Sequence, residues 1–147
     1  MSLVLIGGAT RLTQSGLSIT EWKPVTGVLP PLTHGQWEAE FARYKPIPQY
    51  RELFPDMDLA RFQVIYGWEW AHRLVARLLG LAVVLPALGF ALAGLLHRRL
   101  VLNLVGLAAL IGVQGAVGWW MVSSGLTKRT SVAQELLALH LLLASCT

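Results

Sequence analysis

A chain of 147 residues with 54% hydrophobic and only 14% charged positions is too apolar for an ordinary soluble domain, and it reads as a membrane protein. The net charge of +4 does not point to nucleic acid, because the basic excess falls at Arg73, Arg77, Arg98, Arg99, Lys128 and Arg129, all close to expected membrane boundaries. One cysteine, Cys146, excludes an internal disulfide and a cysteine metal site.

The apolar run Leu3 to Ile6 is too short for a signal peptide and follows no basic segment, so residues 1–6 read as the end of a first helix. Residues 7–67 read as an outer loop. Its first part, 7–35, carries Gly7-Gly8, Gly16, Pro24, Gly27 and Pro30-Pro31, a density that predicts turns rather than helix. Within the loop, Gln36 to Tyr44 is an amphipathic helix candidate with Trp37, Phe41 and Tyr44 on one side. Pro46 and Pro48 end it, and a second short helix over about residues 59–66 leads onward.

Residues 68–96 and 100–122 are each long and apolar enough to cross a hydrocarbon core, which needs roughly 20 residues. Pro86 is expected to kink the first span. The turn His97-Arg98-Arg99 separates the two spans. Gly106, Gly112, Gly115 and Gly118 are expected on one side of the second span, where a helix or a flat cofactor could approach. A polar loop over 123–134 leads to residues 136–147, the start of another helix, which carries His140. The expectation is an all-α integral membrane helix bundle, a single domain over 1–147 that is truncated at both ends. Its short basic turn is expected to face the cytoplasm or matrix, and its Gly/Pro-rich loop the outside.

Glu69 and His72 stand at i, i+3 on one helix face at the membrane rim, where an ionisable pair is a functional hypothesis by default. His72 and His140 lie at similar depth on two different helices, counted from the same side. Two such imidazoles can ligate one haem iron, grip another metal, or simply bond between helices. Glu69 has two readings: an interfacial carboxylate paired with Arg73, or a carboxylate beside a bound substrate. A di-iron site is excluded, because the spans lack the further inward carboxylates it requires. Arg73 and Arg77 either pair with haem propionates or snorkel to set helix depth. His34 and His97 read as surface residues.

The run Gly7-Gly8-Ala9-Thr10-Arg11-Leu12-Thr13, Ser15-Gly16-Leu17-Ser18, Trp22-Lys23-Pro24, Gly27, Pro30-Pro31, Glu40-Phe41, Tyr44-Lys45 and Glu69-Trp70-x-His72-Arg73-x-x-x-Arg77 resembles the haem A synthase family, in its mitochondrial and alphaproteobacterial type. The resemblance implies the amino-terminal half of a protein built from two similar four-helix halves. It implies oxidation of a ring methyl of haem O to the formyl group of haem A, in support of cytochrome oxidase assembly. It makes His72 and His140 the paired iron ligands for haem O and Glu69 the catalytic carboxylate; Arg73 and Arg77, read above as propionate partners, are the further haem-binding candidates. Haem b is expected in the carboxyl-terminal half, beyond this chain, and the chain alone is expected to be inactive. Lipid, haem O synthase, oxidase assembly factors and a second copy of the protein are the expected partners. A bacterial plasma membrane, or the mitochondrial inner membrane in a eukaryote, is the expected location. The main alternative is a non-catalytic b-type haem protein for electron transfer, which needs the histidines but not Glu69. A structural subunit whose histidines only join helices is the other.

Overall fold

The computed structural model describes residues 2–146, so Met1 and Thr147, which fall within the expected terminal helices, lie outside the described residues. Among the described residues the fold is helical throughout, with no strand. Its helices are α1 (Ser2–Leu12), α2 (His34–Tyr44), α3 (Pro48–Leu53), α4 (Leu59–Leu92), α5 (Arg98–Lys128) and α6 (Gln134–Ser145), with a short 3₁₀ turn at Thr26–Val28. Helix α1 packs on α4, α4 on α5 and α5 on α6, while α2 and α3 lie over the end of this bundle.

Helices α4 and α5 have 34 and 31 residues. At the rise of an α-helix they measure about 50 and 45 Å, against about 30 Å of hydrocarbon. Both are apolar enough to cross a membrane, and none of the most apolar stretch of either is buried against protein. Leu81, Leu85, Leu88 and Phe90 are each at least half exposed. Apolar surface on that scale is untenable in water, so this is a helical membrane protein whose long helices turn these faces to lipid or to further helices.

The surplus length projects at one end, called here the loop end. There the first two turns of α4 enter a compact aromatic core. Phe41 stacks on Phe62 with centroids 5.0 Å apart, Tyr44 lies 5.2 Å from Phe62, and Trp37 meets Tyr66 edge-on at 5.1 Å. Tyr44 and Phe62 are fully buried. Such pairs add about 0.5–1.5 kcal/mol each beyond area burial. The Tyr44 hydroxyl donates to Gln49 Oε1, and Gln49 Nε2 donates to the Gln14 carbonyl, tying α2 and α3 to the end of α1.

Several boundaries differ from the sequence-based expectation. Residues Gly7 to Leu12 are helical rather than loop, because Gly7 faces α4 and permits close approach instead of breaking α1. That helix ends in a Schellman closure: Ser15 N–H bonds Thr10 O, Gln14 N–H bonds Arg11 O, and Gln14 takes the left-handed position at φ 54°. Pro48 starts α3 rather than ending anything, since proline fits the first helical turn, where its missing N–H is not needed. Residues 59–66 and 68–92 form one continuous helix capped by Asp58, which accepts from the Arg61 N–H. It runs through Pro86 and ends before residue 96, at a second Schellman closure on Gly94, φ 68°. Helix α5 continues to Lys128, so residues 123–128 are not loop. The α5 glycines do not share one side either: steps of three and six residues drift around a helix of 3.6 residues per turn. Of these four, only Gly118 meets a neighbour, and a Cβ on Gly106, Gly112 or Gly115 would meet nothing within 4 Å.

Candidate functional site

Residues 69, 73 and 77 recur every four positions on α4, with Trp70 beside them, so they share one face. That face grips the segment 18–28. Glu69 is 3% exposed, and its Oε2 accepts from Ser18 Oγ at 2.7 Å and from the Ile19 N–H at 2.8 Å. Its other oxygen accepts from Arg73 Nη2. Arg73 also donates to the carbonyls of Ile19 and Glu21, and its guanidinium lies 5.8 Å from the Trp22 ring. One turn on, Arg77 donates to Gly27 O at 3.2 Å and Lys23 O at 3.0 Å. Trp70 Nε1 donates to Val28 O at 3.1 Å. A loop rich in Gly and Pro has few bonds of its own, and four side chains of one helix supply them.

Outside this face the loop carries an ion cluster. Lys23 Nζ lies 2.7 Å from Glu21 Oε2 and 2.8 Å from Glu40 Oε1, and Arg43 reaches both carboxylates. The hydrogen bond to Lys23 holds the Glu21 carboxyl below its ordinary range, and the same bond raises the Lys23 ammonium above its own.

His72 projects from the neighbouring face of α4 toward α1. A Cβ on Gly7 would stand 3.3 Å from His72 Nε2. His140 on α6 packs the same way on α5, where a Cβ on Gly118 would stand 3.0 Å from its Cε1. Each imidazole thus packs against a glycine of the adjacent helix. His140 Nδ1 is buried with no hydrogen-bond partner. Gln114, one turn before Gly118 on α5, donates to the His140 carbonyl at 2.9 Å and leaves its own buried Oε1 unpaired. Of the remaining histidines, His34 makes an exposed contact with Glu38 at 3.2 Å, and His97 is exposed at the start of α5.

The family model for cytochrome oxidase assembly proteins (COX15-CtaA) matches residues 1–147, the whole chain. The chain belongs to this family. Curated relatives include haem A synthases of Beijerinckia indica, 62% identical over 99% of this chain and 40% of that protein; of Azorhizobium caulinodans, 61% over 97% of the chain and 41% of that protein; and of Agrobacterium fabrum, 61% over 97% and 39%. The chain therefore spans about 40% of the length of the curated relatives it matches. No solved structure matches it.

As a site for the haem that these relatives' names imply, the oxidase assembly fold offers a fitting donor set. A porphyrin fills its own equatorial positions, so two imidazoles suffice, and among the described residues no cluster of three His, Cys, Asp or Glu side chains exists for a bare metal ion. The orphaned His140 Nδ1 and the two glycine faces suit a ring that must be held and aimed. Beside Gly7 the free volume is about 60 Å³, lined by Thr10, Arg11, Leu17, Met121 and Leu137 among others, far below the 300–1,000 Å³ of small-molecule sites. Sequence reasoning reached Glu69, His72, Arg73, Arg77 and His140, but not the partners Ser18, Ile19 and Gly7. No spacing rule links residue 18 to residue 69; the only sign was that Gly7 and Ser18 fall within motifs.

Proposed function

We propose that the full-length protein is a haem A synthase, a multi-pass protein of a bacterial plasma membrane that binds haem O in this half and oxidises one ring methyl to a formyl group. The observation that supports this best is the seating of His72 and His140, each against a glycine of the next helix. Both imidazoles would bind the iron of haem O, one from each side of the ring. With so little free volume between the helices, the macrocycle would enter by parting α1 from His72 and α5 from His140.

Glu69 stands one turn from His72 toward the loop end, its carboxylate fixed by Ser18, Ile19 and Arg73. We assign it the stabilisation of positive charge that develops on the substrate as the methyl carbon exchanges two hydrogens for an oxygen. Arg73 and Arg77 hold the loop over this region, and their remaining N–H groups are the donors a propionate would use. Haem b, in the part of the protein beyond this chain, would supply the redox chemistry that carries the electrons away.

The test expresses the full-length gene beside a haem O synthase and separates extracted haems by chromatography. Wild type should yield haem A; Glu69→Gln should retain haem O with little or no haem A. The saturation of Glu69 by the loop favours one competing reading, a b-type haem protein that moves electrons. Undiminished haem A from Glu69→Gln would remove the catalytic role, and bound haem without haem A from wild type would establish that competitor.

A further inference from the structure

Among the described residues, the two buried side-chain polar atoms without partners belong to residues in one contact. Gln114 Oε1 and His140 Nδ1 are each shut away from solvent and unbonded, and the same two residues are joined by Gln114 Nε2 donating to the His140 carbonyl at 2.9 Å. A carbonyl only accepts, so the amide must turn its NH₂ toward it, and its oxygen is left without a donor. An unpaired buried oxygen is costlier than an apolar residue of the same shape. A glutamine kept in an otherwise apolar stretch of α5 therefore implies a state in which that oxygen is used.

We infer that Gln114 is a positioning residue that fixes the tautomer and aim of His140 by accepting its Nδ1–H when Nε2 binds the haem iron. The inference rests on the ligation proposed above and adds to it the group that makes it directional. A histidine that binds iron through one nitrogen needs an acceptor for the proton on the other, and the acceptor governs ring orientation and basicity. Residues 114 and 118, one turn apart, then act together: Gly118 gives the ring room against α5, and Gln114 clamps both the carbonyl and the Nδ1–H of the same histidine.

The test titrates purified full-length protein with haem O and follows the low-spin absorption and electron paramagnetic resonance of the added haem. Three variants are compared: Gln114→Met, which conserves volume but has no acceptor; Gln114→Glu, which keeps the acceptor; and His140→Ala. Gln114→Met should bind haem O about 10- to 100-fold more weakly, with an altered low-spin signal. Gln114→Glu should stay within a few-fold of wild type. If Gln114→Met does not fold, Gln114→Asn, which keeps the amide but lacks the reach, should show the same loss. Wild-type affinity and signal in Gln114→Met would overturn the inference. Equal losses in the Met and Glu variants would also overturn it, because a mere α5–α6 tie through the carbonyl needs the amide donor that both lack. Undiminished low-spin binding by His140→Ala would instead overturn the ligation itself, a result distinct from either.

Discussion

Ser18 Oγ donates to Glu69 Oε2 across 2.7 Å, joining residues 51 positions apart. With the Ile19 N–H and Arg73 on the same carboxylate, Glu69 is both a candidate catalytic group and the bolt of the loop. Glu69→Ala should therefore destabilise the protein by about 3–5 kcal/mol, because it strands Arg73 and two loop donors. Proteolysis within 18–28 should accelerate accordingly. Glu69→Gln keeps an acceptor and should open the loop far less, so loss of haem A in that variant reports on chemistry. Equal protease resistance in wild type and Glu69→Ala would remove the clasp.

The remaining grips can be ranked. Arg77→Ala removes two charge-assisted bonds, to Gly27 O and Lys23 O, each worth about 1.5–3 kcal/mol. Trp70→Phe removes one neutral bond to Val28 O, worth about 1 kcal/mol. Hydrogen exchange of the 23–28 amides should accelerate more in Arg77→Ala, and the reverse order would count against the clasp.

What was legible in the sequence follows from range. Apolar runs report helices α4 and α5 because membrane crossing is a local property of composition. The pairing of Trp37, Phe41 and Tyr44 is legible because it follows a helix period. The capping box of Thr33 and Gln36, which starts α2 two residues before the expected Gln36, was also local and readable. The helical state of Gly7 to Leu12 was not, because it depends on α4 lying against Gly7. For the same reason the histidine pair could be guessed from depth, whereas the loop bonds of Glu69 required the fold.

The two Schellman closures make a matched pair of substitutions. Gly94 occupies its left-handed position without strain, so Gly94→Ala should cost about 1 kcal/mol. Gln14 occupies the equivalent position with a side chain, so Gln14→Gly should stabilise by a similar amount, its carbonyl bond to Gln49 being kept. Opposite shifts in thermal unfolding of the detergent-solubilised protein are the expected result.

The Glu21–Lys23 pair predicts a shallow pH dependence. The Glu21 carboxyl is held low by Lys23, so its contribution is present above the ordinary carboxylate range and lost as pH falls through its lowered value. The Lys23 ammonium is raised by Glu21 and Glu40, so its contribution is present below the ordinary lysine range and lost as pH climbs through its raised value. Loop protection should thus be flat between those limits. Side chains that are 33% and 44% exposed hold the amplitude to about 0.2–1 kcal/mol, and high salt should shrink it further. Protease protection that rises toward acid would contradict this.

The α5 glycines give the sharpest test of the histidine geometry. An alanine at Gly118 places its methyl 3.0 Å from His140 Cε1, tighter than ordinary contact, so the ring must shift by a few tenths of an ångström. At Gly112 and Gly115 the same methyl meets nothing within 4 Å, and the gain in helix propensity, up to about 1 kcal/mol, should appear undiminished. Gly118→Ala should weaken haem O binding about tenfold or more while Gly112→Ala and Gly115→Ala bind as wild type. Gly7→Ala, at 3.3 Å from His72 Nε2, should fall between them. Equal haem affinity across all four variants would mean that these glycines do not position the imidazoles. A loss confined to Gly118→Ala and Gly7→Ala, with unfolding temperatures unchanged, would tie the effect to ring placement rather than to helix packing at large.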